Sequence, residues 1–133
     1  MRITNENIQE LKPNEIFVFG SNLSGIHGGG AARLAFEKFN ANWGTPIGIQ
    51  GNSYAIPTKS ENIQYTLSVD VIKTYVDEFL EFAKQHKNLT FLVTEIGCGL
   101  AGHSPIDIAP LFHEAKNIEN IHLPEVFWEI LND

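Results

Sequence analysis

Two glycine-rich segments contain the residues of this chain best suited to chemistry. The first covers residues 20–30, Gly-Ser-Asn-Leu-Ser-Gly-Ile-His-Gly-Gly-Gly, and the second covers 97–103, Gly-Cys-Gly-Leu-Ala-Gly-His. Glycine lets a backbone approach a ligand closely, and the N–H groups at the start of a following helix attract anions. Two such segments side by side would form a cradle for a phosphate or a diphosphate. The alternative is that the glycines only serve tight turns.

Side chains in or beside these segments could add reactivity. His27 could orient a water, since imidazole titrates near neutrality, whereas the alternative for His27 is a loop position facing solvent. Cys98 precedes a helix, a position that can lower the pKa of a thiol and so favour a nucleophilic role. His103 could donate to a phosphate or simply precede a helix cap at Ser104.

The segments around the glycines alternate between strand-like and helix-like patterns, which is typical of an α/β domain. Each glycine segment follows an apolar run that predicts a buried strand, and each precedes apolar residues at helical spacing. We therefore predict a single domain over residues 1–133, a three-layer α/β/α sandwich around a mixed, mostly parallel sheet. The expected strands cover 15–20, 46–49, 53–57, 88–96 and 118–123, and the expected helices cover 30–40, 68–86, 104–115 and 124–131.

Composition excludes several classes of protein. The 133 residues include nine Lys and Arg against sixteen Asp and Glu, a net charge of −7, so duplex nucleic acid is not an expected partner. Apolar runs of four or five residues are too short to span a membrane. No apolar leader begins the chain, and we expect a cytoplasmic protein. Cys98 is the single cysteine, which excludes an internal disulfide and a multi-cysteine zinc site, and we expect neither a metal nor a cofactor.

Two better-known phosphate motifs fit less well. The chain has no Gly-x-x-x-x-Gly-Lys-Ser/Thr segment, which excludes a P-loop NTPase. The spacing Gly97-x-Gly99-x-x-Gly102 matches the dinucleotide fingerprint literally. That fingerprint normally opens a larger domain, and the roughly thirty residues that remain after it are too few for one.

The two segments resemble the ligand loops of macrodomains. Residues 17–35 are similar to the first loop of that family, in which an Asn-containing turn leads to a glycine run that opens a helix. Residues 94–102, Thr-Glu-Ile-Gly-Cys-Gly-Leu-Ala-Gly, resemble the diphosphate loop, and are closest to the branch that contains terminal ADP-ribose glycohydrolases. The resemblance implies a macrodomain-like fold over most of the chain, with ADP-ribose, free or conjugated, as the ligand.

The resemblance also implies individual contacts. Asn22 corresponds to the asparagine that faces the distal ribose, and the run 28–30 corresponds to the glycines beside that ribose and the diphosphate. The amides of the second segment correspond to those that hold the diphosphate. The full expected ligand site consists of Ser21, Asn22, Gly28, Gly29, Gly30, Gly97, Cys98, Gly99, Leu100, Ala101 and Gly102.

The resemblance supports binding more directly than catalysis. The glycohydrolase branch uses a lysine and an aspartate, and this chain has Ala101 at the aspartate position, while Lys59 follows a predicted strand without a firm alignment to that lysine. We therefore expect a reader or sequestering module for ADP-ribose. The alternative is a hydrolase that removes ADP-ribose from a modified macromolecule, with Asn22 and His27 holding a ligand-assisted water. The second alternative is a structural or interaction domain without a nucleotide ligand.

Overall fold

Strands and helices alternate along the chain as the sequence predicts. The computed structural model describes residues 2–132. Its strands are β1 (Glu15–Asn22), β2 (Gly48–Gln50), β3 (Ser53–Lys59), β4 (Thr90–Val93) and β5 (Ile121–His122). Its α-helices are α1 (Gly30–Lys38), α2 (Val69–Gln85), α3 (Pro105–Ile108) and α4 (Glu125–Leu131), and 3₁₀ segments cover Glu61–Ile63, Gly99–Ala101 and Ala109–Asn117. Within residues 2–132, no helix combines the length and hydrophobicity needed to cross a bilayer.

The strands form one sheet in the order β2-β3-β1-β4-β5. β1 pairs in parallel with both β3 and β4, and β4 pairs in parallel with β5, whereas β2 joins β3 in the antiparallel direction. The predicted mixed, mostly parallel sheet is confirmed. Because β3, β1 and β4 lie side by side in the same direction, the segments that follow them emerge at one edge of the sheet.

Helices cover both faces of the sheet, which confirms the three-layer α/β/α sandwich. Successive side chains of β1 point to opposite faces. Ile16 and Val18 enter the larger core beneath α2, α3 and α4, and Phe17 and Phe19 enter the smaller core beneath α1. The central strand is thereby buried on both sides, and its carboxyl end leads into the first glycine segment.

Helix α2 contains the features that begin and stabilise a long helix. Ser68 caps the first turn by accepting a hydrogen bond from the amide of Val71, 3.3 Å away. The buried side of the helix faces the larger core. It consists of Ile72, Val76, Phe79, Leu80 and Ala83. The helix predicted over 68–86 is confirmed.

Three predicted elements are shorter than expected. The helix over 104–115 is limited to α3 and continues as a 3₁₀ segment, because Pro110 has no amide hydrogen for the α-helical bond to Ile106. The strand over 118–123 is reduced to β5, since the Ile121 amide closes a turn onto the Ile118 carbonyl at 3.2 Å. The strand over 88–96 ends at Val93, where the chain turns away from the sheet.

β3 is longer than predicted, and its extension bears on the site. It continues through Pro57 to Lys59, and the missing amide hydrogen of Pro57 is tolerated because β2 pairs only with residues 53–55. Asn22 at the end of β1 is in register with Lys59. β3 therefore brings a third segment to the edge of the sheet where the two glycine segments emerge.

Candidate functional site

The two glycine segments meet at the carboxyl ends of β1 and β4. A cavity of about 300 Å³ lies between them. Most of the predicted ligand residues line it: Ser21, Asn22, Gly29, Gly30, Gly97, Cys98, Leu100 and Ala101. Gly28, Gly99 and Gly102 are in the same segments but outside the cavity lining.

Leu100 of the second segment lies close to the glycine run of the first segment. Its side chain is 79% exposed, although it belongs to the cavity lining. A Cβ atom would lie 3.6 Å from the Cδ1 of Leu100 if built on Gly30, and 4.0 Å from it if built on Gly29. Side chains at these two glycines would therefore occupy the space between the segments, and the glycine run keeps that space open.

The first glycine run forms the amino end of α1. Gly29 is its N-cap residue and has an extended backbone, with φ −152° and ψ 160°. The amides of Gly30, Ala31 and Ala32 follow, and the first amides of an α-helix have no acceptor within the helix. These residues line the cavity, and the first turn of α1 contains no acidic side chain. The positive end of the helix dipole is therefore available to an anion.

The second glycine segment turns sharply through glycines with positive φ. Gly97, Gly99 and Gly102 have φ of +74°, +63° and +92°. Gly97 also lacks room for a side chain, since a Cβ there would lie 3.0 Å from the Cδ1 of Ile108. The amide of Gly102 closes the turn on the carbonyl of Gly99 at 3.0 Å. This backbone arrangement presents Leu100 and Ala101 to the cavity.

The end of β3 forms a third wall of the cavity. Thr58 is buried and donates through Oγ1 to the carbonyl of Ser21 at 3.2 Å, and Lys59 lines the cavity next to Asn22. Among the described residues that line the cavity, Lys59 is the only cationic side chain and Glu95 the only anionic one. Lys59 forms no ion pair within residues 2–132. Its positive charge is therefore available to a ligand.

Residues 60–67, here called the bridge segment, connect the two glycine segments. The amide of Asn62 donates to Oγ of Ser24 in the first segment at 2.9 Å. Oγ1 of Thr66 donates to the carbonyl of Ala101 in the second segment. The bridge segment therefore ties both walls of the cavity to the end of β3.

Sequence reasoning missed most of this third wall. No motif marks Thr58 or Ile63, which both line the cavity. One signal was present, because Thr58 and Lys59 follow an apolar run, as the two glycine segments do. That signal becomes informative only once β3 is known to lie parallel to β1.

Asn22 organises the first segment through its side chain. Its Nδ2 donates to the carbonyl of Ile26 at 2.8 Å, and its Oδ1 accepts from the amides of Ser24 at 3.2 Å and Ile26 at 3.0 Å. An amide oxygen has two lone pairs, and both are engaged here. Asn22 lines the cavity as predicted, but its oxygen is not free to accept a hydrogen bond from a catalytic water.

His27 is buried, so the interpretation as a solvent-facing loop histidine is wrong. It has no exposed surface, lies outside the cavity lining and packs edge-on against Phe19, with ring centroids 5.2 Å apart. Its Nε2 lies 3.2 Å from Oε1 of Gln50, whose own amide nitrogen donates to the carbonyls of Thr45 and Gly48. His27 thus anchors the first segment beneath the surface, and this geometry does not support its predicted role in orienting a catalytic water.

His103 connects the second segment to the bridge segment. Its Nε2 lies 2.8 Å from the carbonyl of Leu67. Because a carbonyl only accepts, Nε2 must carry the hydrogen and is engaged in this bond. His103 lies outside the cavity lining, so the alternative to phosphate donation, a structural role before the Ser104 cap, fits its position.

Cys98 lies at the cavity as a neutral thiol. Burial raises the pKa of Cys98 to about 11, and the carboxylates of Glu95 and Asp107 contribute in the same direction. A lowered pKa beside a helix amino end is therefore contradicted. A thiol with this pKa is almost fully protonated near neutrality, which favours a ligand-lining role over a nucleophilic one. Within residues 2–132, no group of three or more His, Cys, Asp or Glu side chains could hold a metal ion.

Comparison with known proteins yields a structural neighbour whose function is unknown. A solved structure from Bacteroides thetaiotaomicron, described as a protein of unknown function, matches with a TM-score of 0.62 and 15% sequence identity. The match covers 87% of this chain and 90% of that chain. No family model and no curated protein matches the chain. At this identity the likeness shows a shared fold alone.

Proposed function

We propose that this protein binds ADP-ribose, or a nucleotide conjugate that contains it, as a reader or sequestering module. One observation carries the proposal: the amino end of α1 and residues Leu100 and Ala101 of the second segment line one cavity at the carboxyl ends of adjacent parallel strands. Ligands of open α/β sheets bind at this position. The resemblance of both glycine segments to macrodomain loops supplies the identity of the nucleotide.

The electrostatics of the cavity suit a diphosphate, although the protein has a net charge of −7. Backbone amides and a helix dipole attract an anion without a basic surface. Lys59 adds one full positive charge at the end of β3. Glu95 is exposed in the cavity lining, and its oxygens suit the hydroxyl groups of a sugar rather than a phosphate.

The size of the cavity suits one part of the ligand. Its volume of about 300 Å³ lies at the lower end of the range for small-molecule sites, about 300–1,000 Å³. A diphosphate with one ribose fills such a space. The adenosine would then lie on the open side, outside the glycine segments.

Calorimetric titration with ADP-ribose tests this proposal through the variants Gly29→Val and Gly28→Val. Valine readily adopts the extended backbone of Gly29, and its side chain would enter the cavity beside Leu100. Gly28 lies outside the cavity lining, and a Cβ built on it would meet only Cγ2 of Ile26, at the ordinary contact distance of 3.8 Å. We expect a loss of about a hundredfold in affinity for Gly29→Val, roughly 2.7 kcal/mol, and near-normal binding for Gly28→Val.

A thermal shift measurement separates the proposal from the alternative of a structural domain without a nucleotide ligand. A ligand present at about 100 times its Kd stabilises the folded protein by about 2.7 kcal/mol. A rise in Tm with ADP-ribose that is lost in Gly29→Val supports the proposal. An unchanged Tm of the wild-type protein at millimolar ADP-ribose favours the structural domain.

Hydrolysis of ADP-ribosyl conjugates is a second candidate function, favoured by the position of Lys59. Lys59 lines the cavity, whereas the oxygen of Asn22 is engaged and His27 lies outside the lining. A lysine belongs to the catalytic pair of the branch that the second segment resembles, and Ala101 replaces its aspartate. This second candidate predicts that the wild type releases ADP-ribose from an ADP-ribosylated protein and that Lys59→Met loses that release. Saturable binding by the wild type without release leaves the reader function alone.

A further inference from the structure

Ile63 in the bridge segment adopts a backbone conformation that isoleucine rarely takes. Its φ is +57°, and the described residues contain three other non-glycine positions with positive φ, all asparagines: Asn14, Asn40 and Asn62. Asparagine tolerates this region, whereas a β-branched residue there is an outlier. Ile63 is also 41% exposed, so burial in the core does not explain an isoleucine at this position.

Hydrogen bonds within the bridge segment maintain the unusual conformation. The amide of Ile63 donates to the carbonyl of Ser60 at 3.1 Å, and the amide of Tyr65 donates to Oγ of Ser60 at 2.9 Å. The amide of Asn62 is bonded to Ser24 in the first glycine segment. Strained residues persist where the surroundings hold them in this way, and such residues cluster where proteins clamp ligands.

Ile63 lies in the cavity lining together with Leu100. Both are aliphatic residues with substantial exposed surface, at 41% and 79%, on the wall of a cavity whose glycine segments also present backbone amides. A diphosphate has no apolar surface for them to contact. A pentose ring has an apolar C–H face and a polar hydroxyl edge, and Lys59 and Glu95 line the same cavity.

We propose that Ile63 is a specificity-determining residue that packs on the apolar face of the sugar carried by the outer phosphate, the distal ribose. This inference rests on the proposed function. It adds that the site prefers ADP-ribose, in which the outer phosphate carries a sugar, to ADP, in which the outer phosphate carries none. The isoleucine is retained at a strained position because the contact with the sugar requires its side chain.

The variants Ile63→Gly and Asn62→Gly form a matched pair that tests this role. Both remove a non-glycine residue at φ of +57°, and both preserve the backbone hydrogen bonds of the bridge segment. Only Ile63→Gly removes a side chain from the cavity lining. Each variant is titrated with ADP-ribose, ADP and inorganic pyrophosphate, and its Tm is measured without ligand.

We expect Ile63→Gly to bind ADP-ribose about tenfold more weakly, and to bind ADP and pyrophosphate as the wild type does. Its Tm should rise by about 2–4 °C, because glycine relieves the strain. Asn62→Gly should keep all three affinities.

Three results would overturn the inference. The first is unchanged affinity of Ile63→Gly for ADP-ribose. The second is an equal loss for pyrophosphate, which means that Ile63 only shapes the phosphate site. The third is an equal loss for ADP, which assigns the contact to the adenosine side. If the wild type binds none of the three compounds, the proposed function itself is wrong and this inference with it.

Discussion

The two glycine segments line the same cavity, yet different parts of the chain determine their shapes. Side chains shape the first: Asn22 spans its turn with three hydrogen bonds, and buried His27 anchors it to Gln50. The backbone shapes the second, through positive φ at Gly97, Gly99 and Gly102. Removing a side chain from the first segment should therefore destabilise the protein. In the second segment, adding a side chain at a glycine should have that effect.

The largest effect is expected for Gly97→Val in the second segment. Valine would combine a φ of +74° with a Cβ 3.0 Å from Ile108, and we expect a destabilisation of about 3 kcal/mol. Thermal denaturation measures it, with Gly44→Val as the control. Gly44 has a φ of +91° but no atom within 4 Å of a built Cβ, so it isolates the backbone strain from the clash. Equal stability of the two variants would contradict the tight packing of Gly97.

Asn22→Ala should produce the corresponding failure of the first segment. It removes three hydrogen bonds, and we expect a loss of about 2 kcal/mol in the free energy of unfolding, measured by urea denaturation. Asn22→Asp keeps an oxygen that accepts from Ser24 and Ile26 and should lose less than Asn22→Ala. If Asn22→Ala unfolds at the wild-type urea concentration, side chains do not determine the shape of this segment.

Lys59→Met tests whether the third wall assists both segments. Removing the only cationic side chain among the described residues of the lining should weaken ADP-ribose binding by about tenfold, with little change in Tm. The wild-type affinity should also fall more steeply with salt than that of the variant, since salt screens the lysine–phosphate attraction. Identical salt dependence of the two proteins would place Lys59 away from the phosphates.

The smallest effect on binding is expected for Cys98→Ala, which should keep its affinity for ADP-ribose within about twofold, because a neutral thiol contributes little.

The pKa of Cys98 is raised from 9.0 to about 11, so the folded protein retains a proton that the unfolded chain releases above pH 9. The thiol's contribution to stability is therefore complete below pH 9 and is lost as the pH rises toward 11.

Alkylation by iodoacetamide checks this assignment for Cys98. The rate should be slow near pH 7.5 and rise up to about pH 11, in contrast to the profile of a free cysteine peptide measured alongside. Rapid alkylation near neutrality would show that the thiol is activated.

The meeting of the two glycine segments was predictable from sequence, because each follows a buried strand and parallel strands end at one edge of a sheet. The position of Lys59 was not, since it depends on the pairing of β3 with β1 and on the extension of β3 through Pro57. The burial of His27 could not be predicted from the sequence either. It depends on Gln50, a partner 23 residues away that no local pattern connects to it.

Backbone conformation was the other feature hidden in the sequence. Positive φ at a glycine can be anticipated, whereas an isoleucine gives no such indication, and Ile63 became informative only through its φ of +57° and its place in the cavity.

Amide chemical shifts in ¹⁵N-labelled protein, followed during titration with ADP-ribose, test the central claim most directly. The account predicts that the largest shifts occur in both segments together, at Gly30 and Ala31 in the first and at Leu100 and Ala101 in the second, with the same saturation curve. Shifts confined to one segment, or centred on residues away from the carboxyl ends of β1 and β4, would contradict it.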